Sequence, residues 1–495
     1  MNTLIRNVVL VHVAVLALAF SWIHGGARPD LLLPVIPWLA AFALEFLLIF
    51  PQAKSTETLS EARSRVWGAL ARDPLLYAAV ALTGLLVIPL FNVAGSPVFD
   101  EALKQWRNPT PPLAWLPSCV KTDEHAVLLL WFPPVLIAAL AAKHGILKKG
   151  KRQLLELLCW NGAALALLGF AQQLTGAKGI MWEGDLGSQF FSTFGYPNFA
   201  GAFFTLLFAL SAGLWFGRAS DNVIGPNAGN APRLDAASFM GQHYLLVAVL
   251  LNLGAAVASL SRAAILLCAV ITAVLGVYML LGAWQKTETG GRIKLLAALG
   301  AAVFLAALAF KAFAPTGLSA EVRSITPDSV IERVTGRGYY HARAAKEIFR
   351  DHRVFGVGGW GYPHYVTQYL KPEELPRMQI VGGANVHNDS LQFLAEQGWV
   401  GYGLLLVCVS LLVVPLFVQA LRLSREGATS DAGAFTFPTP AWLYRWPAPL
   451  VGVFVGTSAT VCHSLGDLPF RNPAVMIVWV LALVCASGFI PAARK

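Results

Sequence analysis

The stretch between Lys311 and Gly398 carries Arg323, Arg333, Arg337, Arg343, Arg350 and Arg353. Guanidinium groups bind phosphate oxygens through paired N–H donors and keep their charge at any working pH. Arg262 stands apart, isolated between the apolar runs Tyr244–Leu260 and Ala263–Leu281. A charge there is costly and by default functional. The competing account is a helix-end arginine whose head reaches lipid phosphates. On the residues alone, the two weigh equally. His387 precedes Asn388, Asp389 and Ser390, a helix-start pattern followed by an apolar helix. A neutral imidazole accepts a proton near pH 7, although a lone histidine in a turn is the commoner case. Asp389 or Glu396 could orient that ring. His463 and Asp467 are spaced i, i+4 and could present one face to a metal. Two ligands without a third favour a hydrogen-bonded polar pair, one that could also line an acceptor channel. The segments expected to face outward contain no Asp-x-Asp pair, so positive charge there comes from arginine.

These residues need a membrane to position them. Of 495 residues, 56% are hydrophobic and 13% charged, about half the charge usual in soluble domains. So few charges cannot coat a soluble surface of this size. The 15 Trp and 29 Phe exclude disorder, and six Cys exclude a disulfide scaffold. The net charge of +10 therefore points to topology and not to nucleic acid, because Lys and Arg collect on the cytoplasmic side of membrane helices.

Runs of about 20 apolar residues, enough to span a bilayer, occur near Leu4–Ile23, Leu31–Phe50, Leu75–Val93, Ala126–Ala142, Leu154–Leu174 and Phe199–Phe216. They continue at Tyr244–Leu260, Ala263–Leu281, Leu295–Phe313, Val400–Ala420, Pro447–Thr460 and Pro473–Ile490. The expected fold is an all-α polytopic membrane protein of about twelve transmembrane helices with one large external, periplasmic loop domain. Residues 1–313 hold helices one to nine, 314–398 the loop domain, and 399–495 the last three helices. Placing Lys143, Lys148, Lys149, Lys151 and Arg152 inside puts both termini in the cytoplasm. It also leaves 20 Lys and Arg inside against seven in the short outer loops, as the positive-inside rule requires. The first apolar run lacks a small-residue cleavage site and reads as a retained helix.

Two further segments have legible character. Gly95–His125 mixes Pro109, Pro111, Pro112 and Pro117 with Phe99, Trp106 and Trp115, a composition expected at the membrane interface, with no function legible. In the long loop, Gly338–Arg350 has helical character. The Gly356–Gly361 run after it turns the chain and lets backbone approach a ligand closely. It lacks the preceding strand and the lysine of a phosphate loop, so it is no nucleotide fingerprint.

Three pieces together resemble the O-antigen ligase/polymerase superfamily of bacterial envelope glycosyltransferases, and most closely O-antigen ligase. The first runs from Phe194 to Gly201 (FGYPNFAG). The second is Ser261-Arg262. The third comprises Gly336-Arg337, Asp351–Gly358, and His387-Asn388 followed by Glu396, Gly398 and Gly401. The resemblance covers roughly residues 190–410. The family often has Asn at the position of Tyr196 and Trp at that of His341.

The resemblance implies an enzyme in the bacterial inner membrane, its active site facing the periplasm. Such an enzyme passes a glycan from a polyprenyl-pyrophosphate carrier to lipid A-core or another glycan, or in some members to a protein hydroxyl. No cofactor, nucleotide sugar or metal is expected. It implies Arg262 and Arg337 as leaving-group ligands and His387 as base. Asn198, Asn388, Asp389 and His463 are expected as substrate-binding residues, with Arg343 as the reserve choice among Arg343, Arg350 and Arg353, which otherwise read as solvated loop charges. Ligase, polymerase and protein-glycosylating members share these pieces, so the acceptor stays open. A twelve-span transporter is the reading from another class. Sparse intramembrane charge and the lack of broken helices recurring in two halves weigh against it.

Overall fold

The computed structural model describes residues 7–186, 190–224, 236–286, 323, 337–371, 374, 384–428 and 446–490. The apolar runs fold as helices because backbone polar groups in lipid must be satisfied within the segment. The expected run 295–313 lies outside the described residues. Each of the other runs falls on a helix, which makes the chain a multi-pass helical membrane protein. Among the described residues, seven helices are long and apolar enough to cross a membrane, and four shorter apolar helices accompany them.

The chain divides into two compact units. The first comprises Met1–Gly150, Thr326–Val414 and Val461–Val484. It contains α1 (Val8–Trp22), α2 (Pro29–Ile49), α3 (Leu59–Leu70), α4 (Pro74–Phe91) and α5 (Thr122–Gly145). A two-stranded hairpin, β1 (Val98–Asp100) and β2 (Gln105–Arg107), interrupts the connection from α4 to α5. The α3 helix lies between the second and third apolar runs. Its signal was present: Thr58 and Glu61 form a reciprocal capping box. At the start of α4, buried Asp73 holds Lys143 and His144, each at 2.6 Å.

The second unit comprises Lys151–Ile325, Pro415–Thr460 and Cys485–Lys495. Its helices are α6 (Lys148–Leu174), α7 (Pro197–Ile224), α8 (Ala236–Ala258) and α9 (Arg262–Lys286). Small residues let backbones approach here. A Cβ on Gly213 would lie 2.8 Å from the Ala448 carbonyl and 2.9 Å from Gly452 Cα, the close crossing that lipid-embedded helices favour. Buried Asn252 adds an interhelical link, donating to the Cys159 carbonyl and to Ser211 Oγ, both at 3.2 Å.

The rest of the first unit lies outside those apolar helices. It holds α10 (Arg337–Asp351), α11 (Tyr362–Tyr365) and the start of α12 (Asp389–Ala428). The helix expected over 338–350 is α10. Ala344, Ala345 and Ile348 on its inner face pack with Val357, Tyr362 and Val366 in a small core. Helices α13 (Ala448–Ser464) and α14 (Pro473–Ala486) complete the chain, joined by the turn Leu465–Asn472.

Candidate active site

In the first unit the site is built around a break in α12. Gly398 takes φ 60°, ψ −167°, a conformation essentially confined to glycine. A Cβ there would meet the Val354 carbonyl oxygen at 2.3 Å. The break frees backbone groups, and all four nearest find partners. The Ala395 and Glu396 carbonyls accept from the Val357 and Gly358 N–H groups at 3.2 and 2.8 Å. The Trp399 and Val400 N–H groups donate to the Arg353 and Val354 carbonyls at 2.8 and 3.1 Å. The glycine run thus serves a close approach, but of protein backbone: Gly356 packs on Glu396 and Gly358 on Cys119.

Glu396 lies buried beside this break. Its carboxylate pairs with the guanidinium of Arg471, which is itself buried and lies 4.5 Å from the Trp360 ring centre. Glu396 also accepts from Gln392 Nε2 at 3.1 Å. Gln392 in turn accepts from the Val386 N–H at 2.9 Å and donates to Asn385 at 3.1 Å. This network fixes the residues leading into His387.

His387 adopts φ +54°, a left-handed conformation uncommon outside glycine. Asn388 holds the other side. Its Oδ1 caps α12 by accepting from the Leu391 N–H at 2.9 Å, and its Nδ2 donates to the Leu465 carbonyl at 3.0 Å. Asp389 accepts from the Phe470 N–H at 2.9 Å. The turn Leu465–Asn472 is thereby docked on the start of α12.

That docking brings Asp467 to His387, with Oδ1 3.7 Å from Nδ1, an ion-pair contact slightly longer than a hydrogen bond. Burial opposes ionisation of Asp467, but the imidazoles of His387 and His463 outweigh it and hold its carboxyl below the usual carboxylate range. His387 itself is only half-buried. His463 is buried, and the Asp467 N–H donates to its carbonyl at 3.1 Å. His341 stands on the other side, its ring centre 6.4 Å from that of His387 and its Nδ1 2.8 Å from Tyr362 Oη. Burial pushes the Tyr362 phenol above its ordinary pKa. Asp467 is thus a carboxylate in contact with the His387 ring, whereas Asp389 accepts from the Phe470 N–H and Glu396 pairs with Arg471.

Arg337 begins α10; its side chain lies outside the described residues. Arg343, one turn and a half later, pairs with buried Glu374. Arg350 and Arg353 are exposed, as expected of solvated charges.

In the second unit two of the expected pieces meet. Ser261 caps α9, its Oγ accepting from the Ala264 N–H at 3.4 Å. The same hydroxyl donates to Asn198 Oδ1 at 2.6 Å, and Asn198 Nδ2 donates to Tyr196 Oη at 2.9 Å. The ends of α7 and α9 touch because Gly201 has no side chain; a Cβ there would lie 2.7 Å from Ser261 Cβ. Arg262 follows as the first residue of α9 and is half-buried. A cation at that end opposes the helix dipole, so helix stability does not explain it.

Sequence reading missed Asp467 as the partner of His387, and Arg471 with Trp360 as the partners of Glu396. The i, i+4 spacing of His463 and Asp467 was the one signal pointing to that turn.

No curated protein matches the chain. Residues 247–406 match the family model described as O-antigen ligase. This stretch takes in Arg262, α10, His387 and the break at Gly398, and over it the chain is similar to that family.

Proposed function

We propose that the chain transfers a glycan from a polyprenyl-pyrophosphate carrier to an acceptor hydroxyl, lipid A-core or another glycan, at the outer face of the bacterial inner membrane. The acceptor oxygen attacks the anomeric carbon, the carbon–oxygen bond to pyrophosphate breaks, and the pyrophosphate leaves with that electron pair. Two demands follow: the leaving charge must be stabilised and the acceptor must lose a proton.

The observation that carries this reading is His387 beside the buried carboxylate of Asp467. A proton on Nδ1 facing that carboxylate places the imidazole lone pair on Nε2, where it takes the acceptor proton. Asp467 then stabilises the imidazolium. Under this reading Arg262 and Arg337 hold the pyrophosphate oxygens. The α9 N-terminus adds N–H groups that favour an anion, with Asn198 fixing the cap beside Arg262. Asn388 and Asp389 act through the position they give His387. Arg343, engaged by Glu374, serves the external core, and His463 borders the acceptor side of Asp467.

The test is transfer by purified protein from a synthetic polyprenyl-pyrophosphate glycan to a glycan acceptor in the presence of EDTA. Product formation that requires both substrates supports the reading. Passage of the lipid-linked glycan across proteoliposomes without any new glycosidic bond would replace it with transport.

A further inference from the structure

The segment between α4 and α5 is held in place yet exposes an unusual amount of apolar surface. Phe91, the last residue of α4, is 83% exposed, and Trp115 is 72% exposed. Phe99, Leu103, Trp106 and Leu113 are exposed as well. A soluble loop scatters such residues singly; here they fall in one connection.

The hairpin has two chemically distinct faces. Cross-strand partners Phe99 and Trp106 stack edge to face at 5.4 Å on one side. Asp100 and Arg107, adjacent to them and so on the opposite side, form an ion pair at 2.8 Å. The depth of the segment is fixed by α4. Asn92, the residue after the helix, donates to the Leu113 carbonyl at 2.9 Å and to the Pro117 carbonyl at 3.1 Å. It also accepts from the Leu113 N–H at 3.0 Å. Leu113 and Trp115 are thus tied to the end of a helix apolar enough to span the bilayer, at the level where aromatic side chains with one polar atom settle.

We propose that this segment is a membrane-interface anchor whose aromatic face and Trp115 seat among the lipid headgroups. It is bolted to the site region of the same unit. His364 bridges Ser96 at 3.2 Å and Glu124 at 2.7 Å. The Gly359 N–H donates to His125 Nδ1 at 2.8 Å. The anchor therefore sets the height of the Gly356–Gly361 run, and through Glu396 of the α12 break, above the bilayer. This holds whichever glycan reaction the protein performs.

The test uses spin labels on the full chain in lipid nanodiscs. Cys462 is the one exposed cysteine, so Leu103→Cys and Trp115→Cys are each made in a Cys462→Ser background. Lys346→Cys on the exposed face of α10 is the reference. Both labels should collide with lipid-soluble oxygen in preference to a water-soluble nickel chelate, with nickel access several-fold below that at position 346. Brominated-lipid quenching of tryptophan fluorescence gives a reading without cysteines: Trp115→Phe should lower the quenchable fraction relative to the parent. Labels as open to nickel as position 346, with quenching unchanged in Trp115→Phe, overturn the proposal. Water-accessible labels that become immobilised only when purified glycan is added also overturn it, in favour of a sugar-stacking platform.

Discussion

Asp467 reaches His387 from a turn between the last two helices, its Oδ1 3.7 Å from Nδ1. A carboxylate on Nδ1 fixes which ring nitrogen carries the lone pair.

Replacing His387 should separate chemistry from binding. His387→Ala should leave donor affinity unchanged and lower single-turnover transfer by about 10²–10⁴-fold, the usual contribution of a positioned base. His387→Gln, which keeps a polar side chain but no basic ring nitrogen, should be as slow as His387→Ala. A glutamine variant that turns over like the parent removes His387 from the base role.

Asp467→Asn should lower the rate by part of that same factor, because the ring loses its orienting charge. It should also change acid stability. The folded-state pKa of Asp467 lies below its ordinary value. The stabilisation is therefore present above the unfolded carboxylate range, near about 3.9, and is lost as pH falls through the lower folded value. Thermal melts of parent and variant should differ most above about pH 4 and converge as pH falls from there through the lower folded value. Parallel melts across that range would show that Asp467 gains nothing on folding.

Arg262→Ala and Arg262→Lys should both nearly abolish transfer while expression and membrane insertion persist. Lysine keeps the charge but loses the planar two-pronged contact with phosphate. Near-parental turnover in Arg262→Lys would reduce the residue to simple charge or a lipid-facing head.

Transfer should continue in EDTA and be indifferent to added magnesium or manganese, since guanidinium groups carry the leaving-group charge in this reading. An activity lost to chelator and restored by a single metal would redirect attention to His463 and Asp467.

Arg471→Met should destabilise strongly, by about 3–5 kcal/mol, because it strands the buried Glu396 carboxylate. Adding Glu396→Gln should recover much of that loss in thermal melts. Equal melting temperatures for Arg471→Met and the parent would show that the pair contributes no stability.

Much of the architecture was legible in the chain itself. Apolar runs of spanning length located every described membrane helix, because a chain in lipid has no alternative to helix over such a run. The helix at Arg337–Asp351 and the helix start after His387 were equally local, written in amphipathic spacing and a capping asparagine. The family resemblance lay in three short pieces whose order is a property of sequence alone.

Tertiary structure decided the partners. Whether His387 is oriented by Asp389, Glu396 or Asp467 depends on where the turn after α13 docks, and local periodicity carries no information about that docking. The same is true of Ser261 meeting Asn198, which needs α7 and α9 to touch at Gly201. It is true also of the glycine run, whose use for backbone contact with Glu396 and Cys119 in place of a ligand follows from the break at Gly398. Local pattern fixes which segments are helices; the buried polar groups that must find partners fix how their ends are tied together.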